Sequence, residues 1–187
     1  MPIIGWIGIG VAVVASIVGF FIAKYNSLVK KKNECEEAFA TMDVYLKQRW
    51  DSVPNFVEIV KGYASQEKTV LENVTAARSG YMNAKSTDEK MAADNELTST
   101  LKTLFAVVEN YPELKSNENF AKLQDELSET EDKISFARQF YNDTVTMYNN
   151  NLLIFPNNII GNIAGFKPES LYKIESEDAK KAPKIQF

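Results

Sequence analysis

Residues 3–23 read IIGWIGIGVAVVASIVGFFIA, 21 consecutive positions without a charged side chain. A backbone in hydrocarbon must satisfy its own hydrogen bonds, so a run this long is confined to a helix. At 1.5 Å per residue it covers about 30 Å, enough to cross a bilayer. Nothing basic precedes the run and no cysteine closes it, so it reads as an uncleaved anchor over residues 1–24 rather than a signal peptide. Lys24, Lys30, Lys31 and Lys32 follow directly. Basic flanks stay cytoplasmic, which predicts a single-pass protein with its N-terminus outside and its domain in the cytoplasm. Within the run, Gly8, Ala12 and Ser16 are spaced by four, as are Ala15, Gly19 and Ala23. Each set lines one helix face and lets another backbone approach, which predicts helix packing in the membrane and a homo-oligomer.

Charge and residue types narrow the function. Residues 1–33 carry four Lys and no acid, whereas the remainder has 17 basic and 25 acidic residues, a net of −8. An acidic body disfavours nucleic acid, whose phosphates call for clustered Lys and Arg. Histidine is absent and Cys35 is the only cysteine. Ser-His-Asp and Cys-His catalysis are therefore excluded, and imidazole or thiolate metal sites nearly so. No cofactor and no enzymatic activity are expected. Cys35 lies on an apolar stripe and reads as a small buried residue.

Beyond the anchor the periodicity is helical, and no run alternates with period two over strand length. Leu28, Cys35 and Met42 share one heptad position, and Phe39, Leu46 and Val53 another. This segment is expected to break at Asp51-Ser52-Val53-Pro54, with Pro54 opening a new helix. The second stripe is Phe56, Val60, Tyr63, Val70, Val74, Ala77 and Tyr81, ending near Lys85-Ser86-Thr87-Asp88. The third is Leu97, Leu101, Leu104, Val108 and Tyr111, closed by Pro112; the fourth is Phe120, Leu123, Leu127, Ile134, Ala137, Tyr141 and Tyr148. The predicted fold is all-α: a transmembrane helix followed by an up-and-down four-helix bundle over residues 25–150. Residues 151–174 form an apolar C-terminal segment with Leu152, Phe155, Ile159, Ile163 and Phe166 on one face, which closes the bundle end or touches the membrane or a partner. Residues 175–187 read as a flexible tail.

Two charges interrupt the apolar repeat. Arg49 continues the Leu28, Cys35, Met42 position, and Glu67 shares that of Val60, Val74 and Tyr81. A charge at a core position needs a partner. Asp43, Asp51, Arg78, Glu109, Glu131 and Arg138 are the candidates, with Tyr63, Asn110, Tyr141 and Asn142 able to complete a structural polar network.

The stretches YNSLVKKKNECEEAFATMDVYLKQRWDSVPNFVEIVKGYA (25–64), ENVTAARSGY (72–81), LFAVVENYPELKSNENFAKLQDELSETEDKISFARQFYNDTVTMYN (104–149) and IFP (154–156) closely resemble the LemA family. The likeness covers essentially the whole chain. It implies a bacterial cell-membrane protein with an N-terminal membrane helix and a helical bundle, and offers no catalytic residues to carry over. It also implies a partner class, since some members are linked with a heat-shock membrane zinc protease and one resembles a magnetosome-forming protein. The chain departs from the common pattern at Gln66, where the family often has His before Glu67. Two functions follow: a non-catalytic membrane scaffold or adaptor, or a ligand- or metal-binding helical domain using the network around Arg49 and Glu67.

Overall fold

The computed structural model describes the backbone of residues 2–173 and the side chains of residues 6–173; the tail at 175–187 lies outside the described residues. Those residues form six helices: α1 (Pro2–Tyr63), α2 (Lys68–Asn83), α3 (Thr87–Val108), α4 (Pro112–Lys115), α5 (Glu118–Leu153) and α6 (Asn157–Ala164). The all-α expectation holds, and the N-terminal apolar run is helical. The described positions of that run are exposed, and the helix they begin is long and apolar enough to cross a membrane.

The break expected at Asp51–Pro54 does not occur, because α1 runs through Pro54 to Tyr63. Proline has no N–H, so it leaves the carbonyl four residues earlier, that of Trp50, without its helical partner. Arg78 on α2 supplies the missing donor, its Nε reaching Trp50 O at 3.3 Å. The expected second helix is accordingly shorter: Phe56 and Val60 stay on α1, and α2 starts only at Lys68. On α2 the buried position is Leu71 rather than Val70, while Tyr63 and Phe39 are not buried. Short links of residues 64–67 and 84–86 join α1, α2 and α3, which turns consecutive helices back on one another. The second link ends in a capping box, in which Ser86 Oγ accepts from Glu89 N while the Glu89 carboxylate accepts from Ser86 N. Two backbone donors at the start of α3 are thereby satisfied.

The chain divides into two packing units. Among the described residues, 2–40 with 139–171 form one, and 41–138 with 172–173 the other. They are not consecutive stretches of sequence, because α1 and α5 are long enough to serve both.

In the first unit Leu28, Cys35 and Ala38 of α1 and Tyr141, Val145 and Tyr148 of α5 are buried. Burial, with Glu169 nearby, pushes the Cys35 thiol up to about 11, so it stays protonated at neutral pH, like an apolar residue. The extended stretch after α6 is tied to α5 by hydrogen bonds: Tyr141 Oη donates to Ser170 O and Tyr148 Oη to Lys167 O, each at 2.9 Å, and Asn149 exchanges two with the Glu169 backbone. Gly161 is buried on α6, where an added Cβ would sit 3.0 Å from Leu152 Cδ2.

In the second unit Phe56, Phe105 and Phe120 meet edge to face, with centroids 5.6–6.5 Å apart. Such pairs add to the stabilisation from apolar burial. Every residue of the stripe expected on the fourth helix is buried on α5, with Tyr141 and Tyr148 in the first unit. Leu97, Leu101, Leu104 and Val108 are buried on α3, whereas Tyr111 at the end of that expected stripe is only half-buried.

Candidate functional site

The buried charges of the second unit form its most unusual feature. Arg49 is 1% exposed. It pairs with Asp94 of α3, and both side chains are wholly out of solvent. Its Nη1 reaches Glu131 Oε1 of α5 at 2.6 Å and Thr98 Oγ1 at 3.2 Å. Asp94 Oδ2 accepts from the hydroxyl of Tyr172, and Arg138 Nη2 lies 3.7 Å from the same oxygen. The Arg138 guanidinium also covers the Tyr172 ring at 4.4 Å. Arg49 of α1 thus joins α3 and α5, and Asp94 brings in Tyr172 of the segment after α6, through charge-assisted hydrogen bonds that are about twice as strong as neutral ones.

Helix periodicity places these groups. Asp94 stands three residues after Met91 and three before Leu97, on the face of α3 that is buried throughout. Arg49 lies seven residues after Met42, one heptad on. Neither can reach water without moving its helix. Two guanidiniums oppose two carboxylates, so the cluster balances itself and has no excess charge to recruit an ion. Burial pushes the Tyr172 phenol up, and Arg138 and Arg49 pull it back only in part. It therefore remains a neutral donor to Asp94. This arrangement ties α1, α3 and α5 together through buried polar contacts.

Of the residues expected to share one network, the structure brings together Arg49, Glu131 and Arg138. Asp43 belongs to a separate cluster: Lys90 Nζ reaches it at 2.6 Å, and the hydroxyl of Tyr81 donates to it. Tyr81 stacks on Trp50 with centroids 4.6 Å apart. Its phenol is pushed up by burial first and by Asp43 second. Arg78 serves the Trp50 carbonyl, and Asp51 is exposed. Glu109 pairs at the surface with Lys115. Glu67 is not a core residue of the second stripe. It is the half-buried residue before α2 and accepts from Tyr111 Oη at 3.1 Å, which in turn accepts from Gln66 Nε2 at 2.8 Å. Arg49 and Glu67 therefore engage different partners. Tyr63 and Tyr141 likewise bond elsewhere, to Asn117 and to Ser170 O.

Asp94 and Tyr172 escaped the sequence reading. Asp94 is an acid on the apolar face of α3, three residues before Leu97, the first residue of the expected stripe. Tyr172 gave no signal, being one aromatic residue in a charged, irregular stretch.

Gly8, Ala12, Ser16, Ala15, Gly19 and Ala23 are all exposed on α1. A Cβ added at Gly8 or Gly19 would meet nothing within 4 Å.

Magnetosome proteins MamQ 2 and MamQ 1 of Paramagnetospirillum magneticum are each 23% identical, over 89% of this chain and 71% of theirs. Protein LemA of Metamycoplasma hominis is 22% identical, over 83% of this chain and 74% of its own. Residues 38–187 match the profile of the LemA family. With that match over most of its length, the chain belongs to the LemA family.

Proposed function

We propose that this LemA-type chain is a non-catalytic, membrane-anchored scaffold or adaptor that assembles as a homo-oligomer. The observation that carries this reading is the continuity of α1. One helix of 62 residues holds both the exposed apolar run and the buried Leu28, Cys35, Met42, Leu46 and Trp50. A helix that is apolar all round seeks a membrane or a protein cover. Fixed without a flexible linker to a domain core, it passes packing in the bilayer on to the domain. The open faces of Gly8, Ala12 and Ser16 and of Ala15, Gly19 and Ala23 suit close helix packing. Lys24 and Lys30 to Lys32 favour a cytoplasmic domain. A membrane protease, or another membrane protein, is the partner class to seek by cross-linking and pull-down from native membranes.

The test is the size of the full chain in mild detergent and in lipid nanodiscs. The wild type should run as a discrete oligomer, and Gly8→Leu with Gly19→Leu should shift it to a smaller species. A wild type that is monomeric in both media would end the assembly proposal.

A further inference from the structure

The turn from α5 to α6 exposes more apolar surface than a soluble end needs. Leu153, Ile154 and Phe155 are 77%, 58% and 75% exposed, and Ile159 and Ile163 on α6 are 46% and 81% exposed. Single exposed apolar residues are ordinary, but a contiguous group marks a surface that something covers. The stretch around them, residues 144–166, carries no charged side chain. On α6, Ile160 and Gly161 are buried while Ile159 and Ile163 face outward. The helix is thus apolar on two sides.

The position of α6 along α1 identifies the cover. Ile160, Ile163 and Ala164 form an apolar notch with Phe21, Ile22 and Tyr25. Tyr25 also meets Phe166 edge to face, with centroids 5.7 Å apart. Phe21 and Ile22 are among the last residues of the apolar run, and Lys24 follows them. A run of 21 residues just spans the hydrocarbon, so its end lies at the bilayer surface. Tyr25, just past the end of the run, suits the level where membrane and water meet, at which Tyr and Trp side chains gather. The exposed apolar group of α5 and α6 belongs to the same packing unit and continues that level sideways.

We propose that the α5–α6 turn and the outer face of α6 lie in the membrane interface, as a second membrane contact beside the transmembrane helix. Its ligand is the headgroup and upper acyl region of the surrounding lipid, entered by Leu153, Ile154, Phe155, Ile159 and Ile163. The contact rests on the reading that α1 crosses a bilayer. It would fix how far the domain stands from the membrane and stop it turning freely about α1.

Site-directed spin labelling of the full chain tests this, in nanodiscs of phosphatidylcholine and phosphatidylglycerol. Labels are placed one at a time at Val14→Cys, Glu36→Cys, Phe155→Cys and Ile163→Cys in a Cys35→Ala background. Should that background unfold, native Cys35 is retained, since its buried, protonated thiol resists labelling. Collisions with oxygen and with a water-soluble nickel chelate report depth. The expected result is residue 14 deep in hydrocarbon, residue 36 in water, and residues 155 and 163 about 5–10 Å below the headgroup boundary. Residues 155 and 163 in water with residue 14 deep would overturn the interfacial contact and leave the span intact. Labels at 155 and 163 shielded from both reagents, with residue 14 deep, would show protein covering the face and equally overturn it. Residue 14 in water would overturn the span, and the contact with it.

Discussion

At the scale of single residues, stability concentrates where charge is buried. Removing one member of a buried pair strands the other, so Arg49→Ala and Asp94→Ala should each lower the unfolding free energy by about 3–5 kcal/mol. Glu131 is 41% exposed on its side chain, and water screens its pairing, so Glu131→Ala should cost only about 1 kcal/mol or less. Tyr172→Phe removes the hydroxyl donor to Asp94 and should cost about 1–3 kcal/mol. Denaturant titration of the four variants gives this order, and equal losses for Asp94→Ala and Glu131→Ala would contradict it. Tyr172 also sets a pH dependence. Its folded pKa lies above the usual 10.0 because burial disfavours the phenolate. The group therefore contributes full stability below about pH 10 and loses that contribution as pH rises further. Stability measured from pH 8 to 11 should fall at the alkaline end, and less steeply in Tyr172→Phe.

Among the elements, α1 is the most informative. If Arg78 replaces the amide that Pro54 lacks, the two residues are energetically coupled. Arg78→Met should cost about 1 kcal/mol in the native chain and clearly less in Pro54→Ala, where a backbone N–H returns to Trp50 O. A double-mutant cycle without coupling would remove Arg78 from this role. The same place shows what the sequence could convey. Leu28, Cys35, Met42 and Arg49 repeat every seven residues, so the buried face of α1 was legible, as was that of α5. A helix break at Pro54 was the natural local reading, because proline is a strong stop signal and its compensation comes from another helix. Arg49 was legible as a buried charge from its heptad position, whereas its partner Asp94 required the stripe of α3 to be followed back to Met91. The contacts of Tyr172 depend on an irregular segment folding back onto α3, and no periodicity encodes that path.

For the whole molecule, the clearest prediction concerns sidedness. If the flank with Lys24 and Lys30 to Lys32 is cytoplasmic, as proposed, protease added outside intact cells or spheroplasts should leave the helical domain uncut. Rapid external cleavage within residues 41–138 would reverse the orientation. The interleaving of the two packing units also bears on how the chain is made. The first unit needs residues 139–171 to cover Leu28, Cys35 and Ala38, yet those three leave the ribosome first. The 98 residues in between take about 5–20 s to translate at ordinary rates. For that interval a helix whose first part is long and apolar enough to cross a bilayer carries an uncovered apolar seam on its other half. Biogenesis thus has a vulnerable window, and a chaperone or a neighbouring nascent chain that shields this seam would act before the protein is complete.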